Sequence, residues 1–241
     1  MKKKLLIGGC SFSQYQGPPT ESRKPKWKPW TDFLMDEFEE KFKIINRAQS
    51  SFGQGMIAQS IVEELIRYNF EVDYVIIQWS AIGRSYSLNK KDFIDRVVQH
   101  GELQFAPHME EYVTGKPEGQ VTGNNPLMDV INETSSHFYT ASLIKILMTK
   151  ALLENKKIPY IMFWGWQQIT TEIEYENKKI IDSIYDENFW RFNDNGGMNE
   201  YIVSNLGKEI GLVGKGDFHP STTGQKFFYD NIVKSWKFLW E

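Results

Sequence analysis

The chain has 241 residues, 41% of them hydrophobic and 15% aromatic, a composition that excludes disorder and suits one α/β domain with insertions better than two domains. Its 28 basic and 31 acidic residues leave a formal net charge of -3, and without a long basic stripe nucleic acid is not an expected partner. The single cysteine, Cys10, forbids an intramolecular disulfide and a Cys-based metal cluster. Met1 to Lys4 imitates the basic entry of a signal peptide, yet the apolar run behind it ends after three residues and reads as a first strand. No segment approaches the roughly 18 to 20 apolar residues that span a bilayer, so a soluble protein is expected.

Leu5 to Ile7, Tyr74 to Ile77 and Tyr160 to Phe163 are continuous apolar runs, the pattern of strands buried on both faces of a parallel sheet. Helical spacing fills the intervals. Pro29 to Phe42 reads as a helix, Lys43 to Asn46 as a second strand, and Met56 to Tyr68 as a second helix. A long amphipathic helix over Ser136 to Asn155 leads into a strand over Ile158 to Phe163. The last helix follows Pro220, with Thr222 and Gln225 in capping-box spacing, and runs towards Trp240. This alternation predicts an open, mainly parallel sheet of about five strands between helix layers, with function at the carboxyl ends of the strands. Three stretches fall outside the repeat and read as insertions in a single domain spanning 1–241: near 14–28, 85–135 and 167–199. Each suits a lid or substrate wall, and equally a plain surface loop.

Directly after the first strand comes Gly8-Gly9-Cys10-Ser11-Phe12-Ser13, a tight turn that lifts a serine above the sheet edge. An anion-binding loop has the same look, although the Lys-Ser/Thr ending of a P-loop is missing. Near the other terminus, Gly216-Asp217-Phe218-His219-Pro220 places an acid and an imidazole before a helix. A hydroxyl nucleophile needs a neighbouring base, and that base an anionic partner, so Ser11, His219 and Asp217 have the residue types of a catalytic triad. The remaining histidines, His100, His108 and His137, show no metal-ligand spacing.

These blocks resemble those of the SGNH (GDSL-like) hydrolases. Gly9-Cys10-Ser11-Phe12-Ser13 is similar to the family's first block, Gly-Asp-Ser-x-Ser, and Asp217-Phe218-His219-Pro220 resembles its last. Asn46 to Gln54 is similar to the second block, whose Asn opens a turn and whose glycine five residues on gives an oxyanion-hole N–H; here that position is Ser51, with Gly53 close by. The third block, usually Gly-x-Asn-Asp, is replaced by Gln78-Trp79-Ser80-Ala81-Ile82-Gly83-Arg84, so its Asn donor is absent. Cys10 stands where the family has an Asp that braces the turn, and strand alternation makes it a small buried residue. The acid lies two residues before the histidine rather than the family's three, with Gly216 in the usual slot.

The resemblance implies a flavodoxin-like α/β/α sandwich and a serine esterase for small esters, plausibly O-acetyl groups on carbohydrate. Ser11 would attack, His219 act as base and Asp217 orient it. The oxyanion donors would come from Ser11 and from Ser51 or Gly53, with Ser80 or Arg84 substituting for the absent amide, although Arg84 equally suits an ordinary ion pair at a loop start. Arg84, Trp79, Trp164 and Trp166 would face substrate, and no metal or cofactor is called for. The rival readings are an inactive SGNH-like binding or structural domain, such as a phage particle component, and a phosphate-binding flavodoxin-like protein. A cytoplasmic or virion-associated setting fits either.

Overall fold

The computed structural model describes residues 2–14, 27–50, 52–80, 126–166, 169, 171–194, 196–214 and 217–240. Strands β1 (Lys3–Gly8), β2 (Phe42–Asn46), β3 (Tyr74–Trp79), β4 (Tyr160–Trp164) and β5 (Phe189–Trp190) form one sheet in the order β2-β1-β3-β4-β5. Every neighbouring pair is parallel. Around it lie α1 (Trp30–Phe38), α2 (Gln54–Arg67), α3 (Pro126–Asn155), α4 (Thr171–Ile184), α5 (Met198–Leu206), the short α6 (Lys208–Gly211) and α7 (Thr222–Asn231). Strands β6 (Leu212–Gly214) and β7 (Asp217–Pro220) pair antiparallel as a separate ribbon.

The pleat sorts the apolar runs into two cores. Leu6, Val75, Ile77, Trp79, Met162 and Trp164 face one side, where they meet Ile57 and Ile61 of α2, Leu143 and Ile146 of α3 and Ile181 of α4. Leu5, Ile7, Ile76 and Phe163 face the other, against Trp30 and Leu34 of α1, Ile202 of α5 and Phe228 of α7. A sheet buried on both faces explains why the strand sequences run apolar without alternation. It also decides the fate of two tryptophans expected to meet substrate. Trp79 and Trp164 are both 0% exposed, sent into the first core by strand register, and the Trp164 indole donates to the Tyr185 hydroxyl at 3.0 Å. Burial pushes that phenol up to about 12, while the Trp164 N–H pulls it back less strongly, so Tyr185 stays a neutral acceptor.

Several expected boundaries shift. The first helix stops at Phe38, and Phe42 already opens β2, because its ring is drawn into the second core. Helix α3 begins at Pro126, ten residues before the expected start, and so takes up the end of the stretch near 85–135. The stretch near 167–199 is no insertion over the sheet: it supplies α4 and β5, and β5 pairs with β4. Ser221, not Thr222, caps α7, its hydroxyl accepting the Gly224 N–H at 3.0 Å. The bulk of the stretches near 14–28 and 85–135 lies outside the described residues.

Candidate active site

Strand β1 has β2 on one side and β3 on the other, so the chain leaving its carboxyl end stands at the switch point where open α/β sheets bind ligands. Residues 9–13 make a tight turn there, closed by the Ser13 N–H donating to the Cys10 carbonyl at 3.0 Å. The chain following β2 runs beside it: Arg47 N–H donates to the Ile7 carbonyl at 2.8 Å and Gln49 N–H to the Gly9 carbonyl at 3.1 Å. Asn46 opens that segment as expected, its Oδ1 accepting the Ala48 N–H and its Nδ2 donating to the Ser13 carbonyl, both at 2.9 Å. Thr31 donates to the same carbonyl at 3.1 Å. Ser11 therefore sits on a turn whose neighbours carry its hydrogen bonds, and the residue is only 4% exposed.

The ribbon brings the other terminus to this turn. On β7 the side chains of residues 217 and 219 share one face while Phe218 points to the other, 70% exposed. That alternation is why an acid two residues before the histidine suffices here: in an extended strand the i and i+2 side chains lie side by side. Asp217 Oδ1 accepts the His219 Nδ1–H at 2.7 Å and the His219 backbone N–H at 3.0 Å. A carboxylate only accepts, so the ring proton belongs on Nδ1 and the Nε2 lone pair is left open. The Ser11 hydroxyl donates to that Nε2 at 2.8 Å. Three residues separated by up to 208 positions thus form one hydroxyl, imidazole and carboxylate line.

Aromatic rings surround the imidazole. Trp27 stacks on it, with centroids 4.5 Å apart and planes at 20°, and Phe12 meets it edge-on at 5.3 Å. Trp166, partly exposed, packs on Phe12 at 4.9 Å and is the one of the four expected substrate contacts that the described residues leave at this edge. Gly53 is the N-cap of α2, and Gln54 beside it donates through Nε2 to the Ser80 carbonyl at 2.8 Å, tying the start of α2 to the end of β3. The Ser80 hydroxyl is buried and has no hydrogen-bond partner among the described residues. Ser51, Arg84, His100 and His108 lie outside the described residues, as does the His137 side chain within α3.

Of the amides that a phosphate cradle would need, the Cys10 and Ser13 N–H groups are already bonded, to Gln78 Oε1 and to the Cys10 carbonyl. Among the described residues no group of three or more His, Cys, Asp or Glu could hold a metal, and no helix is long and apolar enough to cross a membrane. Sequence reasoning missed Trp27, Gln54, Gln78 and Gln225 as parts of the site's frame. Gln225 accepts the Trp30 N–H at 3.0 Å and donates to the Phe12 carbonyl at 3.3 Å. A glutamine at a position otherwise expected to be apolar, as at 78, is the one signal that pointed to any of them.

No protein-family model and no curated protein matches this chain. Solved structures do. The psychrotrophic esterase EstA from Pseudoalteromonas sp., in a structure inhibited by monoethylphosphonate, is similar with a TM-score of 0.51 at 12% identity, covering 97% of this chain and 96% of that one. TesA is similar with a TM-score of 0.51 at 11% identity, covering 98% and 99%. At this sequence distance the likeness is one of fold: the chain has the SGNH-hydrolase type of α/β fold that these structures share.

Proposed function

We propose that this protein is a serine ester hydrolase using Ser11, His219 and Asp217. The observation that carries the reading is the continuous line from the Ser11 hydroxyl to His219 at 2.8 Å and on to Asp217 at 2.7 Å. In the first half-reaction the Ser11 oxygen attacks the ester carbonyl as its proton passes to His219 Nε2; the tetrahedral adduct then expels the alcohol, which takes that proton back. Water repeats the sequence on the acyl-Ser11 ester, its proton moving through His219, and releases the acid. Asp217 holds the Nδ1 tautomer and stabilises the imidazolium between the two transfers.

The developing oxyanion calls for N–H or O–H donors at the same edge. The Ser11 N–H, the Gly53 N–H at the positive end of α2 and the unpartnered Ser80 hydroxyl are the candidates, and Ser80 stands in for the missing third-block amide. Small esters are the substrate class. O-acetyl groups on carbohydrate follow from the resemblance and are supported by the partly exposed Trp166 ring, a face on which a sugar stacks. The chemistry requires no metal or cofactor.

Hydrolysis of a chromogenic acetyl ester by the wild type and by Ser11→Ala, with fluorophosphonate labelling in parallel, tests this. Turnover and a label on Ser11 in the wild type, both lost in the variant, are expected. Equal turnover by the two proteins, or no label on Ser11, favours the inactive binding domain instead.

A further inference from the structure

Gln78 is a fully buried amide on a central strand, a place for which an α/β core has no ordinary use. Strand register sends it to the same side as Ile76, beside Phe163 of β4, where an apolar residue is the default. A buried amide is tolerated when its groups are paired. Gln78 Oε1 accepts from the Cys10 N–H at 3.2 Å, from the Cys10 S–H at 3.3 Å and from the Ser13 hydroxyl at 3.2 Å. Its Nε2 donates to the Trp79 carbonyl at 2.6 Å. The Ser13 oxygen also accepts the Trp30 indole N–H at 2.9 Å, which leaves its single proton for Gln78.

We propose that Gln78 is a positioning residue that clamps the nucleophile turn on both sides of Ser11. This rests on the reading of Ser11 as nucleophile. Cys10 precedes Ser11 directly and Ser13 closes the turn, so one oxygen fixes both ends of the segment that carries the attacking hydroxyl. The neighbours leave space for it: a Cβ at Gly165 would overlap Gln78 Nε2, and one at Gly9 would stand 3.1 Å from Oε1. With Cys10 adjacent to Ser11, the turn has no carboxylate of its own at that position, and Gln78 provides from the next strand the acceptor its amide needs. A displacement of about 1 Å in a reacting group costs on the order of a hundredfold in rate, so the clamp acts on catalysis and not only on folding.

The test compares Gln78→Met, similar in length but unable to accept from Cys10 or Ser13, with Gln78→Glu, which keeps the acceptor and, protonated, the donor to Trp79. Acetyl-ester kinetics per folded molecule and the rate of fluorophosphonate labelling of Ser11 are measured for both. For Gln78→Met, kcat and the labelling rate are expected to fall together by about tenfold to a hundredfold, with KM within about twofold of the wild type. Gln78→Glu is expected to recover most of that loss. A folded Gln78→Met with wild-type kcat and labelling rate overturns the proposal, and so does a Gln78→Glu no better than Gln78→Met. If Gln78→Met does not fold, Ser13→Ala removes one arm of the clamp; about a threefold to tenfold loss in kcat at constant KM supports the proposal and unchanged kcat overturns it. A wild type that neither turns over ester nor takes the label sinks the esterase reading, and the clamp with it, and that result is read before any variant.

Discussion

Ser11 stands on a turn that the central sheet builds, whereas Asp217 and His219 stand on a two-stranded ribbon at its margin. The turn is bonded to β2, β3, α1 and α7 through Asn46, Gln78, Trp30, Thr31 and Gln225, nearly all of them buried. The ribbon has β6 and β7, an irregular register between them, and Asn199 of α5 reaching the Phe218 carbonyl at 3.3 Å. Its acid and base keep 28% and 33% of their side-chain surface exposed. The turn around Ser11 is therefore tied into the buried frame of the fold, while Asp217 and His219 are carried on a more exposed margin. The side chains that hold the turn and those proposed to react are different ones, and substitutions in each set test that distinction.

The largest expected effect is Ser11→Ala, which removes the attacking oxygen: a loss on the order of 10⁵-fold to 10⁶-fold in kcat, measured on an acetyl ester. Its melting temperature is expected to stay near the wild type, since the turn is held by the neighbours of Ser11. Asp217→Asn comes next, with about a 10⁴-fold fall in kcat, because an amide no longer enforces the tautomer that leaves Nε2 open. Its stability should hardly change; a loss comparable to a core truncation would erase the distinction between ribbon and turn.

Trp30→Ala reverses the pattern. It empties a fully buried site beside Phe163 and Trp236 and strips a donor from Ser13, so denaturant unfolding should report a loss of about 3 to 5 kcal/mol. The smallest effect belongs to Ser221→Ala, which uncaps α7 for about 1 kcal/mol. In a chain of this length that shifts the melting temperature by roughly 2 to 4 °C, readable by calorimetry. Should Ser221→Ala instead abolish activity, α7 would be holding His219 in place, and the ribbon would count as part of the frame.

Much of this arrangement was legible in the residue order. The apolar runs at Leu5, Tyr74 and Tyr160 announced buried parallel strands because a sheet covered on both faces admits few polar side chains, and the Gly-rich turn behind the first strand marked Ser11. Asp217 and His219 stood out as an acid and a base flanking a helix start. What periodicity could not give was side-chain direction. Trp164 and Trp166 differ by two residues and looked alike on paper, but one ends the strand inside the core and the other begins the loop beyond it. The role of 167–199 was hidden for another reason: β5 is two residues long and carries almost no pattern of its own.

By itself the sequence determined the layer architecture and the chemistry available at each terminus, since both depend on local pattern and residue type. The tertiary structure decided that the two termini meet, that a two-residue spacing works because residues 217–220 are extended, and that a buried glutamine from β3 grips the turn. Those facts depend on contacts between positions as much as 208 residues apart, and no local pattern encodes where a distant strand will come to rest.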